Sequence, residues 1–415
     1  MLGTVPHIRY HIAAILAAHW TAFVAQYRKW IRPVVFENVR KVLACRTPVL
    51  GCHLYRCDLC GRMEIVPHSC KSRFCPTCGK HATDVWANAV LNRLLDVPYH
   101  HLVLALPWQL RMLAGMNRET FLNVLFASAA EAVQQWARDV KGMRMGIVMV
   151  LHTFGADLKW HPHVHLIVTG GGLSLDGKRW IATDPRFLMH HRGLKTRWKY
   201  QVIKRLKKAH REGKVRLPAS AKFLKLYPRF AAMLNKLWQL TWYGHLGASL
   251  LDPRFSVRYI GRYTKRAVLA EYRITYYDDR LVRFAFKDYA QGGKTNYLTV
   301  KVHTFIGRLI RHIPDKCFPM IRHAGLFANR WRSRYLPQAR AALAQPEPHA
   351  TAPEPAPTWA QRQAEHTGTD PLQCPDCQKP MSFLGAFYGP WDQVQLLFTQ
   401  AGRDPTIPAA LLRPG

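Results

Sequence analysis

The sequence predicts an α+β protein in which a helical, cysteine-rich N-terminal domain precedes a larger domain of strands and helices. Three observations carry this prediction. Seven of the ten cysteines fall between Cys45 and Cys78. Short apolar runs bounded by turn residues recur after Val97, and longer stretches with helical periodicity lie between them. A chain of 415 residues has room for two or three domains with an ample apolar core.

Tyr10 to Leu43 is rich in Ala, Ile, Val and Trp with basic residues interspersed, which predicts two amphipathic helices parted near Pro33. The run VPYHHLVLALP, from Val97 to Pro107, is short, apolar and bracketed by prolines, as a buried strand is. Asn117 is placed to cap a helix reaching about Val140, followed by a strand from Gly146 to Phe154. A turn through Gly155 and Asp157 leads into a strand from His161 to Thr169, closing at three glycines, so the pair forms a hairpin. His191 to Lys214 is helical by pattern, as is Phe255 to Val268, and Tyr272 to Asp288 reads as a hairpin turning at Asp278-Asp279. Phe305 to Arg334 is expected to be a basic helical region. The domain division expected from these elements is 1–95, 96–304, a basic helical extension over 305–337, a Pro/Ala-rich linker over 338–370, and a small segment over 371–415. The linker contains PEPHATAPEPAP, too poor in apolar side chains to fold by itself.

Cys57-Asp-Leu-Cys60 and Cys75-Pro-Thr-Cys78 have two residues within each pair and fourteen between pairs, close to zinc-ribbon spacing. Gly61 and Gly79 follow the second cysteine of each pair, where a metal knuckle takes a positive φ. These four are therefore expected to hold a structural Zn²⁺. A second site could draw on Cys45, His53 and Cys70, with Cys52, His68 and His81 also nearby, or some of these are simply buried. Cys374-Pro-Asp-Cys377 stands alone, without a second pair downstream, and is not expected to bind zinc. Thiolate clustering of this kind points to a reducing cytoplasm.

Lys and Arg total 60 against 25 acidic residues, a net charge of +35 that calls for a polyanionic partner. Residues 341–415 hold four basic and seven acidic residues, net −3, so residues 1–340 carry +38. Eleven Lys or Arg stand between Arg192 and Arg216 against one acid, Glu212, and within that run Lys204, Arg205, Lys207 and Lys208 are expected to contact a DNA backbone. No apolar run is long enough to span a membrane and no cleavable signal pattern opens the chain.

In HPHVHLIVTGGG, His163 and His165 alternate with Val164 on a strand, so both imidazoles share a face and can bind one ion. His152, on the preceding strand, can complete a three-nitrogen set across the hairpin, and His161 is a weaker candidate. In YIGRYTKR, Tyr259 and Tyr263 are spaced i and i+4 on one helical face, a spacing that also suits a core pair. Arg262, Lys265 and Arg266 surround them with cations suited to phosphate. Phosphoryl transfer needs charge neutralisation at phosphorus and an in-line nucleophile, which these two groups can supply.

Together these elements resemble the HUH endonucleases, named for two histidines around a hydrophobic residue, here His163-Val164-His165. More narrowly, CRTPVLG, SCKSRFCPTCG, LHTFGADLKWHPHVHLIVTGGGL, YIGRYTKR, FKDY and IRHAGLFANR resemble the transposases of the insertion sequence 91 family over most of Cys45 to Arg332. The resemblance implies a central antiparallel sheet flanked by helices, Mg²⁺ or Mn²⁺ on His163 and His165, a third ligand at His152, and Tyr259 and Tyr263 as nucleophiles. It further implies rolling-circle transposition of single-stranded DNA through a 5′-phosphotyrosine, acting on element ends and target site in a bacterial cytoplasm, at the nucleoid. Acidic residues are scarce near the motifs, leaving Asp288 and Gln291 as polar helpers. No Gly-rich phosphate loop with its lysine is present, so unwinding would fall to host replication or helicase proteins. The rival readings are a plasmid replication initiator or relaxase of the same chemistry, and a non-catalytic zinc-dependent nucleic-acid-binding regulator. A hydrolytic metalloenzyme acting on proteins would need a helical HExxH, which is missing.

Overall fold

A computed structural model describes residues 10–76, 78, 90–91, 93–184, 188–250, 268–288, 291–346 and 357–388. The chain forms two compact units, one from His11–Gly79 with Ala350–Gly415, the other from Met1–Tyr10 with Lys80–His349.

In the cysteine-rich unit, α1 (Ile12–Tyr27) buries Ile12, Ile15, Leu16 and Phe23, a helical stripe. Trp20 lies 5.8 Å from Phe36 of α2 (Pro33–Leu43), joining the two helices. Pro33 sits in the first turn of α2, where its missing N–H costs no hydrogen bond, and Val35, Val39 and Val42 form the buried face. β1 (Cys52–Arg56) and β2 (Met63–Pro67) are antiparallel, and the other edge of β1 is taken by a C-terminal strand, Ser382–Phe387. Gly51 has φ +86°, and a Cβ there would stand 2.3 Å from the Phe387 carbonyl, so only glycine lets the C-terminal strand approach this closely.

The second unit is built on a sheet made from β3 (Tyr99–Ala105), β4 (Met143–Phe154), β5 (Trp160–Ser174), the short β6 (Trp180–Ala182), β7 (Gly244–Leu250) and an edge strand, Ile321–Gly325. Its spatial order is Ile321–Gly325, β4, β5, β3, β7, with β6 paired to the end of β5, and every pairing is antiparallel. Side chains alternate across it. Leu102, Leu104, Met149, Leu151, Val164 and Leu166 face one core with the helices Arg118–Lys141 and His191–Arg211. Tyr99, Val148, Val150 and Ile167 face the other way, toward Leu336 and Ala339 of helix Arg332–Ala342. A separate three-stranded sheet holds β8 (Ile274–Tyr277), β9 (Leu281–Asp288) and β10 (Lys294–Lys301), with Phe305 of helix Val302–Arg311 6.0 Å from Phe284. The α+β class and the central antiparallel sheet flanked by helices are as expected.

Several expectations are corrected. Strand β5 does not end at the three glycines but runs through them, because the neighbouring backbone leaves no room for side chains: a Cβ on Gly170 would meet the Pro98 carbonyl at 2.8 Å and one on Gly172 the Arg144 carbonyl at 2.5 Å. Asn117 occupies the N-cap position without capping; its amide donates to the Arg216 carbonyl at 2.8 Å, and its oxygen accepts from the Arg216 N–H at 2.7 Å. The 305–334 region is not helical throughout, since Ile321–Gly325 pairs with β4 as the sheet's edge. Residues 371–388, expected to be a separate small segment, pack in the cysteine-rich unit, where Ser382–Phe387 pairs with β1. The expected linker carries structure at both ends: helix Arg332–Ala342 reaches into it, and helix Trp359–Thr367 is fixed by a capping box between Thr358 and Gln361.

Candidate metal-binding and catalytic site

His152 lies on β4 directly opposite His163 of β5, while Val150 is opposite His165, so His152 is diagonal to His165 on the same sheet face. Ligand atoms of His152, His163 and His165 all lie within 4.8 Å of one another, and the His152 and His165 rings are 4.2 Å apart. The structure thus brings together the three histidines picked from sequence. The turn that joins the two strands is pinned from outside: Arg308 donates to the Asp157 carbonyl at 2.9 Å and Arg273 to the Ala156 carbonyl at 3.0 Å.

On His163 and His165 one ring nitrogen is hydrogen-bonded within the protein, as in metal-binding imidazoles. His163 Nδ1 donates to the His161 carbonyl at 2.8 Å, leaving Nε2 as the donor to a cation. His165 Nδ1 lies 2.8 Å from His101 Nε2, and the two rings stack 5.1 Å apart at 8°. His101 was missed by the sequence reading, although the alternation in YHHLVLA already puts it in phase with the buried face. Burial pushes His163 and His101 down to about 4 and His161 to about 3, and lowers His165 well below the ordinary imidazole range. These four rings are therefore neutral at pH 7, and with His165 Nδ1–H donating to His101 Nε2 the His165 Nε2 lone pair is left for a cation. The half-buried Arg111 guanidinium, on helix Trp108–Met116, is near enough to depress His161 and His163 further. Three neutral imidazoles in one small cluster fit a divalent cation, and a donor set without a carboxylate suits Mn²⁺ better than Mg²⁺.

The cysteines pair otherwise than expected. Cys75 and Cys78 come together with Cys45 and Cys70, not with Cys57 and Cys60. Sulfur separations of 3.4 Å (Cys45–Cys78), 3.7 Å (Cys70–Cys78) and 3.7 Å (Cys45–Cys75) match a tetrahedral thiolate set. His53 is not in this tetrad; its ring packs on His68 at 4.6 Å and Phe383 at 5.4 Å. Cys57 and Cys60 instead meet Cys374 and Cys377, the pair set aside for want of a partner. Spacing alone misled because the second cysteine pair of this cluster lies more than 300 residues away in sequence.

Tyr259, Tyr263, Arg262, Lys265 and Arg266 lie outside the described residues. Asp288 and Gln291 both accept from the Asn296 side-chain amide, at 3.3 and 3.4 Å. On helix His191–Arg211, Leu194, Trp198, Val202 and Leu206 form the buried stripe. Lys204 and Lys208 are exposed, Arg205 bonds to Gln201, and Lys207 reaches Asn235 at 2.9 Å. No helix among the described residues is long and apolar enough to cross a membrane.

Two thiolate clusters, a histidine cluster on the central sheet and a net charge of +35 are the features of a metal-binding protein that acts on nucleic acid. Comparison with known proteins agrees. Residues 15–106 match the family described as "Transposase zinc-binding domain", and residues 146–334 match the family described as "Putative transposase". The chain is 33% identical over 337 residues to the "Putative transposase y4qJ" of Sinorhizobium fredii, covering 81% of this chain and 85% of that protein. It is 33% identical over 362 residues to the "Transposase for insertion sequence element IS801" of Pseudomonas savastanoi pv. phaseolicola, covering 86% of this chain and 85% of that one. No solved structure matches. The chain belongs to the insertion sequence 91 family of transposases.

Proposed function

We propose that this transposase cuts and rejoins single-stranded DNA by tyrosine attack beside a histidine-held divalent cation, as an HUH-type endonuclease and strand transferase. The observation that carries the reading is the cluster of His152, His163 and His165 on adjacent antiparallel strands. Bound there, Mn²⁺ or Mg²⁺ would neutralise charge on the scissile phosphate. The Oη of Tyr259 or Tyr263 attacks phosphorus, the bond to the 3′-oxygen breaks, and a proton passes to that oxygen while the tyrosine proton goes to solvent. The products are a 5′-phosphotyrosine and a free 3′-hydroxyl, so the ester retains the energy for rejoining. A second tyrosine allows a second cut or acceptance of the strand without ATP, which suits rolling-circle transposition of an insertion sequence. The substrates are then the ends of the element and the target site, within the bacterial cytoplasm and at the nucleoid, with host helicases opening the duplex.

The cations of 191–216, with Arg262, Lys265 and Arg266, serve the DNA backbone in this scheme. Exposed aromatic side chains favour a single strand. Tyr297 is 61% exposed, with Arg283 6.0 Å above its ring, a surface on which an unpaired base can stack.

Incubating the full chain with a single-stranded oligonucleotide from an element end and Mn²⁺ is expected to yield a shortened strand and a protein-linked strand. A DNA-binding regulator would leave the oligonucleotide intact. His101 acts as a positioning residue through its bond to His165. His101→Ala is expected to raise the Mn²⁺ concentration needed for half-maximal cleavage about 10- to 100-fold, with zinc content and DNA affinity retained. An unchanged Mn²⁺ requirement would remove His101 from the site.

A further inference from the structure

The C-terminal cysteine pair lies beyond the residues that either family description matches, at 15–106 and 146–334. Its backbone nevertheless repeats the Cys57–Cys60 knuckle bond for bond. The Cys57 N–H donates to the Arg62 carbonyl and the Cys374 N–H to the Lys379 carbonyl, both at 2.8 Å. The Gly61 N–H donates to the Cys57 carbonyl and the Gln378 N–H to the Cys374 carbonyl, both at 2.9 Å. Gly61 has φ +74° and Gln378 φ +57°, so a non-glycine residue takes the left-handed turn that the motif requires. The Gln378 side chain folds back onto the Pro375 carbonyl at 3.1 Å. In both knuckles the second cysteine's sulfur accepts a backbone N–H two residues on, from Arg62 and from Lys379. A backbone bent to aim N–H groups at sulfur is built for thiolates sharing a cation.

The four sulfurs converge. Cys57–Cys377, Cys60–Cys374 and Cys60–Cys377 are separated by 3.2, 3.6 and 3.8 Å, against the roughly 3.8 Å edge of a tetrahedron with Zn–S bonds of about 2.3 Å. Cys57 and Cys374 are fully buried, and no cysteine forms a disulfide. Around them Arg62 pairs with Asp376 at 2.9 Å, Ser382 bonds to Asp58, and β1 pairs with Ser382–Phe387.

We propose that Cys57, Cys60, Cys374 and Cys377 bind a second structural Zn²⁺, which clasps the C-terminal segment to the N-terminal zinc-binding unit. The Cys45, Cys70, Cys75 and Cys78 tetrad is local in sequence. The clasp joins residues 314 and 320 positions apart, so this unit is completed only when the last part of the chain returns to it. The clasp is independent of the nuclease reading, since none of its residues takes part in cleavage.

The test is metal counting on the purified full chain. Wild type is expected to hold two Zn²⁺ per chain, and Co²⁺ titration to develop tetrahedral thiolate bands up to two equivalents; a count of one in wild type overturns the proposal even if every variant proves insoluble. Cys374→Ser/Cys377→Ser is expected to hold one, and retention of two also overturns it. With a site-specific protease sequence inserted at Pro348, the cut C-terminal fragment should co-elute with the rest of the wild-type chain and separate in the Cys374→Ser/Cys377→Ser chain. A fragment that stays attached without those thiols, or leaves with them intact, contradicts the clasp.

Discussion

Changing Tyr259 and Tyr263 together to Phe is expected to abolish covalent protein–DNA adducts, a loss of about 10³-fold or more, while leaving affinity for single-stranded DNA nearly unchanged. Phe keeps the aromatic ring but removes the phenolic oxygen proposed as the nucleophile. If the two phenols divide the two cuts between them, each single variant retains one cleavage and loses strand transfer. DNA affinity should persist because the proposed backbone contacts come from the basic residues of 191–216, and it should fall steeply with salt in wild type and variant alike. Adduct formation by the double variant at the wild-type level would show that another residue is the nucleophile.

His163→Ala should be nearly as severe by a different route. His163 contributes one of three clustered nitrogens, and its ring is fixed by the bond from Nδ1 to the His161 carbonyl. Several kcal/mol of charge stabilisation are lost with the cation, which corresponds to about 10³- to 10⁴-fold in cleavage rate. The variant should still hold its zinc, because the cysteine tetrads lie in the other unit. Added Mn²⁺ in large excess should restore part of the rate if His152 and His165 still bind weakly. Full activity in the variant at ordinary Mn²⁺ would detach the histidines from the chemistry.

Much of this site was legible in the residues themselves because strand alternation is a strict rule. His163 and His165 had to share a face, and a hairpin of this length brings His152 opposite the first of them. His101 was harder to see, since its role depends on β3 pairing with β5, a contact between strands 64 residues apart that local pattern does not encode. The cysteines show the same limit more sharply. Near-ribbon spacing favoured Cys57, Cys60, Cys75 and Cys78 as one set, but the tertiary fold gives each pair a different partner: Cys75 and Cys78 meet Cys45 and Cys70, and Cys57 and Cys60 meet Cys374 and Cys377. The C-terminal pair stood alone in the sequence because no second pair follows it, and its partners Cys57 and Cys60 lie more than 300 residues upstream. The Pro-rich stretch was likewise read by composition, which did not reveal the capped helix Trp359–Thr367 within the expected linker.

If the histidine cluster and one of the two tyrosines act on the same phosphodiester, mass spectrometry of the digested adduct will locate the attacking residue. Trypsin separates Tyr259-Ile-Gly-Arg262 from Tyr263-Thr-Lys265, so the two nucleophiles can be told apart in a single digest. The expected result is a nucleotide phosphate on one or both of these peptides, formed with Mn²⁺ and lost in His163→Ala. A phosphate on any other residue, a strand cut with no protein attached, or an adduct formed equally well in His163→Ala would contradict it.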